Sequence, residues 1–189
     1  MKSKTKKMVG IGLFSAIVLV LQLLGGSIRF FNMFSISVVL VPIVVGAAVY
    51  GWQAGAWLGF VFGVAVLLSG DANSFMIIDP LATVLVVLVK GTVCGLASGV
   101  VYTALKRFNN IGGVIAAAVI CPIANTGIFL LGCHFFFLET ITEWAYQLGF
   151  ANAGNYMIFG LAGINFIVEL CVNLLLGPVI IRLITYAKK

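Results

Sequence analysis

Six apolar runs, each close to the length that a helix needs to cross a membrane, occupy most of this 189-residue chain. A membrane-spanning helix takes ~20 apolar residues, because each residue rises only ~1.5 Å along the axis. A backbone in lipid must also satisfy its own hydrogen bonds, which leaves helices and closed barrels as spanning structures. The runs therefore predict an all-α integral membrane protein, a six-transmembrane-helix bundle with spans at 8–25, 34–50, 52–69, 81–104, 111–138 and 155–185.

The composition excludes a water-soluble protein of this size. Hydrophobic residues make up 62% of the chain and charged residues only 8%, against ~25% charged in ordinary soluble domains. The net charge of +6 does not indicate nucleic-acid binding, because the cations lie at the ends of apolar runs and not on a basic face with aromatic residues. We expect one transmembrane domain covering residues 1–189.

Basic residues predict how the bundle is oriented. Arg29 falls with the four acidic residues of the outer loops, and Lys90 falls inside a span. With six spans, all other cations lie on one side, which the positive-inside rule makes cytoplasmic: Lys2, Lys4, Lys6, Lys7, Lys106, Arg107, Arg182, Lys188 and Lys189. Both termini are therefore predicted to be cytoplasmic.

Cysteines give no sign of a metal centre. The chain has four, each alone in an apolar stretch, and no C-x-x-C pair. Metal ligation needs several soft ligands that converge, whereas a lone cysteine in an apolar run packs as a small hydrophobe. We predict neither a metal site nor a cofactor.

Four polar residues interrupt the apolar runs at middle depth in the membrane. Lys90 lies ~14 Å below the outer end of the fourth span. Asn165 and Glu169 lie ~15 and ~21 Å deep in the sixth span and, being four residues apart, share one helix face. Asn125 lies ~20 Å below the outer end of the fifth span. These depths predict a cavity between the fourth, fifth and sixth spans that is reached from outside.

Two interpretations of Lys90 follow. An ammonium at the bilayer centre costs ~2.5–3.5 kcal/mol even on insertion scales, so it needs a partner. Lys90 and Glu169 could form a buried ion pair that fixes the register of the helices. Alternatively, Lys90 receives an anionic or strongly polar group of a ligand, with Asn125 and Asn165 beside it. We favour the ligand, because intramembrane ionisable residues are functional candidates by default, and the two roles can coexist.

The outer loops supply further candidates for ligand binding. Asp79, followed by Pro80, is expected to cap the start of the fourth span, with a second role at the mouth of the pocket as the alternative. Arg29 and Asn32, in the first outer loop, could anchor to lipid headgroups or form part of a lid.

Small residues mark where helices touch. Glycine recurs every fourth residue in the third span and again in the fourth. Such stripes let helix backbones approach closely, which predicts packing of these two spans within the bundle. Gly12 and Ala16 form a shorter version in the first span. Internal packing and a docking face for another membrane subunit are both open there.

Residues 41–70, VPIVVGAAVYGWQAGAWLGFVFGVAVLLSG, resemble the substrate-binding S components of energy-coupling-factor (ECF) vitamin transporters. In that family a second helix punctuated by proline and glycine leads through a short turn into a glycine-striped third helix. The basic start, the six predicted spans and the mass of 20.1 kDa extend the resemblance over nearly the whole chain.

The resemblance implies a function and a set of partners. Family members bind a vitamin or related micronutrient from outside, in the prokaryotic plasma membrane, and then dock on a transmembrane T component driven by two cytoplasmic ATPases. The family pocket is built from outer loops and spans four to six, with the first outer loop as lid. Small residues of the first helix form the docking face, usually as Ala-x-x-x-Ala, where this chain has Gly12 and Ala16. No ATP-binding G-x-x-x-x-G-K-[ST] motif is expected, and the sequence contains none.

Two other classes of function compete with this one. A membrane enzyme would need a nucleophile and base, but no intramembrane Ser-His pair or pair of aspartates is visible, so we expect no enzyme. A stand-alone secondary transporter or channel often repeats broken helices in two halves, and neither Lys90 nor Glu169 is repeated here. A lysine at pocket depth favours the carboxylate-bearing vitamins pantothenate and folate, with riboflavin as a further candidate.

Overall fold

The computed structural model describes residues 2–27, 29–30, 34–35 and 38–187. These residues are almost entirely helical, and the helices include one π-helical segment, Tyr156–Ala162. Two short strands, β1 (Arg29–Phe30) and β2 (Phe34–Ser35), pair antiparallel. The α-helices are α1 (Lys2–Ser27), α2 (Leu40–Tyr50), α3 (Trp52–Ser69), α4 (Asn73–Met76), α5 (Pro80–Leu105), α6 (Asn110–Phe136), α7 (Leu138–Gln147), α8 (Ala153–Asn155), α9 (Gly163–Leu175) and α10 (Gly177–Ala187).

Five helical stretches among the described residues are long and apolar enough to cross a membrane: Lys4–Gly25, Trp52–Ser69, Pro80–Leu105, Asn110–Phe136 and Ala153–Leu175. They make this a multi-pass membrane protein and correspond to five of the six predicted spans. The count of six and the cytoplasmic position of both termini stay predictions.

The second predicted span, 34–50, differs most from the structure. Among the described residues of this span, Leu40–Tyr50 is helical, and at 11 residues it is ~16 Å long, about half the thickness of the hydrocarbon layer. Residues 34–35 form a strand paired with β1 and not a helix. All residues of α2 from Leu40 to Ala48 are buried, so this helix packs inside the protein and shows little surface to lipid. Gly51, with φ of +97°, makes the tight predicted turn into α3, in a conformation that favours glycine.

Glycines hold α3 and α5 together. A Cβ on Gly59 would collide with the backbone oxygen of Gly91, and one on Gly91 would collide with that of Gly59. Gly55 and Gly95 are related in the same way. The prediction that the two stripes pack within the bundle is confirmed, because only residues without a side chain allow this separation.

The last predicted span, 155–185, is interrupted twice. The π-helical segment passes into α9 at Gly163, where φ is +25°, and α9 ends at Leu175 before α10 begins at Gly177. Pro178 in the first turn of α10 has no N–H to donate to the preceding turn, so it favours a new helix start there. The second interruption thus lies at Gly177 and Pro178, two residues that disfavour a continuous helix.

The first helix lies at the edge of the bundle. Of its described side chains, only Val18 and Gln22 are buried, while Met8, Leu13 and Leu24 are each more than half exposed. The Trp57 Nε1 of α3 donates a hydrogen bond of 3.2 Å to the Ser15 hydroxyl of α1. A long apolar face of α1 is therefore open to lipid or to another protein.

Candidate functional site

A cavity of about 210 Å³ lies among α1, α3, α4, α5, α6, the π-helical segment and α9. One part of its wall consists of polar side chains from the middle of the long helices, and the other part is rich in phenylalanine. A concave, mostly apolar space with a few converging polar groups is the usual form of a small-molecule site. It is slightly smaller than the ~300–1,000 Å³ typical of ligand pockets.

The four intramembrane polar residues singled out from the sequence all line this cavity. Lys90 comes from α5, Asn125 from α6, and Asn165 and Glu169 from α9. Asn165 and Glu169 lie one helical turn apart, so both point from the same face of α9. The structure thus brings these residues together, while their role in binding stays a prediction.

Lys90 is half-buried, and its burial disfavours the charge, whereas several neighbouring groups attract it. Its Nζ lies 5.0 Å from the centre of the Phe129 ring, within the range of cation–π attraction. Among neighbouring acidic groups, the Glu169 carboxylate attracts the ammonium most strongly, and Asp71 adds a smaller attraction. The ion-pair and ligand interpretations of Lys90 are therefore both compatible with this geometry.

Asn125 is an unusual residue in the wall of the cavity. Its side chain is only 6% exposed, and its Oδ1 has no hydrogen-bond partner among the described residues. An unsatisfied buried polar group costs ~1–3 kcal/mol, so such groups need an explanation such as a bound molecule. The Asn125 carbonyl is therefore a candidate acceptor for a ligand N–H or O–H group.

The aromatic part of the cavity is centred on Phe75 of α4. Its ring packs edge-on against Phe129, Phe137 and Trp144, with centroid distances of 5.7, 5.1 and 5.6 Å. Gly70, with φ of +79°, ends α3 in the left-handed conformation that glycine adopts easily and turns the chain into α4. The sequence pattern of residues 70–80 did not identify this aromatic cluster.

Gln22 and Asp71 were also missed as parts of the cavity wall. The Gln22 Nε2 donates a hydrogen bond of 2.6 Å to the Asp71 Oδ2, and both residues line the cavity. This bond ties α1 to the turn that leads into α4. The sequence signal that could have identified Gln22 is that it is a single amide side chain in the otherwise apolar second half of the first span.

The remaining predicted binding residues lie elsewhere or outside the description. Asp79 is the N-cap of α5, accepting a hydrogen bond of 3.0 Å from the Ala82 N–H, with Pro80 as the first helical residue. The predicted cap is confirmed, but Asp79 is not among the residues that line the cavity. Arg29 belongs to β1, and its side chain is not described; Asn32 lies outside the described residues.

Gly12 and Ala16 lie on the exposed face of α1. A Cβ added to Gly12 would meet no atom within 4 Å, so close packing within the described part of the chain does not require a glycine at this position. Docking of another subunit at Gly12 and Ala16 stays a prediction.

The described residues contain no group of three or more His, Cys, Asp or Glu side chains that could hold a metal ion. The four cysteines are free thiols; Cys94, Cys121 and Cys133 are buried, and Cys171 is exposed.

Comparison with known proteins gives one match. The family model described as ECF transporter, substrate-specific component, matches residues 6–181. No curated protein and no solved structure matches the chain.

Proposed function

The chain belongs to the substrate-specific components of ECF transporters, and from this premise we propose that it captures a vitamin or related micronutrient outside the cell for an ATP-driven importer. Family membership makes it a transporter subunit and not an enzyme. The candidate ligands are pantothenate, folate and riboflavin. The expected location is a prokaryotic plasma membrane.

One observation carries the proposal of ligand capture. Lys90, Asn125, Asn165 and Glu169 come from three different helices, and they line a single cavity inside an apolar bundle. Polar side chains in a membrane are expensive and mark substrate sites by default. An ion pair that only fixed helix register would require neither the two amides nor the empty volume beside it.

The proposed partners are a transmembrane T component and two cytoplasmic ATPase subunits. The exposed apolar face of α1 around Gly12 and Ala16 is the proposed docking surface, because small residues let another membrane helix approach closely. The chain itself carries no ATP-binding motif, so in the proposed importer ATP is hydrolysed by the two ATPase subunits.

Native mass spectrometry of the protein, purified from its own membrane in mild detergent, tests ligand capture. We expect a peak shifted by the mass of one small organic molecule, which tandem fragmentation then identifies. Lys90→Met should remove the shifted peak. A Leu131→Met variant on the exposed surface of α6 should keep it. A wild-type spectrum without bound small molecule, together with no binding of any of the three vitamins, would contradict the proposal.

A further inference from the structure

Charges around the cavity argue against an anionic ligand group beside Lys90. Among the described residues that line the cavity, Asp71 and Glu169 carry carboxylates, and Lys90 carries the one ammonium group. Both carboxylates line the same cavity as the ammonium, so the cavity wall already holds two acidic groups for one basic group before a ligand enters. A ligand carboxylate would bring a third negative charge into a region of low dielectric, where uncompensated charge is costly.

The hydrogen-bonding groups of Lys90 and Asn125 require a ligand that has both an acceptor and a donor. The Lys90 ammonium can only donate, whereas the Asn125 Oδ1, which has no hydrogen-bond partner among the described residues, can only accept. A neutral ligand that matches them needs a carbonyl oxygen next to an N–H. The pairing would satisfy a buried carbonyl that is otherwise left without a partner.

Aromatic side chains beside these groups favour a flat ligand. The Phe129 ring lies 5.0 Å from the Lys90 Nζ and 5.7 Å from the Phe75 ring centre. Both rings line the cavity, together with Phe62, Phe137 and Phe166. Offset-stacked and edge-to-face contacts with such rings favour an aromatic ligand beyond the area that is buried.

From these three features we infer that the ligand enters with a neutral, planar heterocycle whose lactam or imide edge, a carbonyl beside an N–H, meets Lys90 and Asn125. The inference rests on the proposed function and names the chemistry of its ligand. A cavity of ~150 Å³ holds one benzene ring, so about 210 Å³ fits roughly two fused rings, with the rest of the ligand directed towards the mouth.

This ligand chemistry favours riboflavin and folate over pantothenate among the candidate vitamins. Riboflavin carries an imide edge on a flat ring system, and folate carries a lactam edge on its pterin ring. Pantothenate has a carboxylate and no ring. The lysine alone favoured a carboxylate, but the two carboxylates around it reverse that preference.

Binding of four fluorescent probes and pantothenate to the protein in lipid nanodiscs tests the inference. The probes are lumichrome, pterin and the N3-methyl derivative of each, in which a methyl group replaces the N–H of the edge. We expect at least one parent ring to bind and its N3-methyl derivative to bind ~10- to 100-fold more weakly, as the loss of a buried hydrogen bond predicts. We expect pantothenate not to displace it.

Two variants locate the contact. Asn125→Leu removes a buried carbonyl that has no hydrogen-bond partner in the described part of the chain, so the fold should tolerate it. The ratio between parent and N3-methyl affinities should fall to about 1. Asn173→Leu is the matched control, because Asn173 is also a buried amide but does not line the cavity. It should leave the ratio unchanged.

The outcomes separate this inference from the proposed function. Tight binding of pantothenate without binding of either ring would overturn the ring assignment and leave vitamin capture intact. Equal affinity for a parent ring and its N3-methyl derivative, or no binding of either ring, would also overturn the ring assignment. Vitamin capture itself fails only if the protein carries no small molecule and binds none of the three vitamins.

Discussion

Lys90 shows how a single charged residue is accommodated inside this bundle. The ammonium is attracted by Glu169 and Asp71 and by the face of the Phe129 ring. Each attraction is stronger than it would be in water, because the surrounding medium has a low dielectric constant. The side chain lines the open cavity, where its amino group can donate hydrogen bonds to a ligand.

Replacing Lys90 by Met should separate its two possible roles. Met keeps most of the side-chain volume but removes the charge and the donor. Loss of a hydrogen bond from a charged group costs ~1.5–3 kcal/mol, or roughly 10- to 150-fold in affinity. Titration of the co-purified ligand into the purified variant measures this loss.

The double variant Lys90→Met with Glu169→Gln is the control for stability. If the pair serves only helix register, removing both charges should restore the thermal stability and the ligand affinity together. If Lys90 contacts the ligand, stability should recover and affinity should not. A stable double variant with wild-type affinity would therefore remove Lys90 from the binding site.

At the scale of helices, the α3–α5 contact depends on glycines that face each other. Gly91→Ala places a Cβ against the backbone oxygen of Gly59, which cannot move aside without shifting the whole helix. Overpacking of this kind costs ~1–3 kcal/mol, so the melting temperature in detergent should fall.

Gly127→Ala in α6 is the matched control for that prediction. A Cβ at this position meets no atom within 4 Å, and alanine is favoured over glycine in helices by ~0.8–1.0 kcal/mol in soluble systems. Its melting temperature should stay the same or rise. Equal destabilisation by both substitutions would mean that the α3–α5 contact is not the cause.

The proposed docking face on α1 can be tested with a single bulky substitution. Ala16→Trp puts a large ring on the exposed face where we propose that the T component docks. Uptake into cells should stop while ligand binding by the purified protein stays unchanged. Leu131→Trp, at an exposed position on α6, should leave both intact. Loss of ligand binding in Ala16→Trp would indicate that this face packs internally.

The sequence predicted the elements with the strongest local signals and missed those set by tertiary pairing. Glycine spacing identified the α3–α5 contact, and Asp79 with Pro80 identified the start of α5. Apolarity alone could not reveal that residues 34–35 form a strand, because an apolar run is compatible with either structure. Phe34 and Ser35 pair with β1 instead of belonging to a helix.

Of the residues that line the candidate site, only polar residues inside the spans were predicted from the sequence. Lys90, Asn125, Asn165 and Glu169 stand out because polar residues are rare in membrane spans. Phe75 does not stand out, because 15 phenylalanines occur in this chain and only the turn at Gly70 brings this one to the cavity. Gln22 reaches Asp71 across 49 residues of sequence, a distance over which spacing carries no information.

At the scale of the whole molecule, the predicted topology places α4 and α7 outside the cell and the α5–α6 turn inside. Single cysteines at Asn73, Gln147 and Phe108, all exposed, test this in a Cys171→Ala background with a membrane-impermeant thiol label. Intact cells should be labelled at the first two positions and not at the third. Labelling of the Phe108 position from outside would contradict the orientation.

The central claim is that this chain binds a substrate but depends on partner subunits to move it. Purified protein in liposomes should bind the radiolabelled vitamin identified by mass spectrometry and should not accumulate it, with or without a proton gradient. Adding the T component and the two ATPases should give import that requires ATP. Accumulation by the chain alone, driven by a proton gradient, would contradict the account and make the protein a self-sufficient carrier.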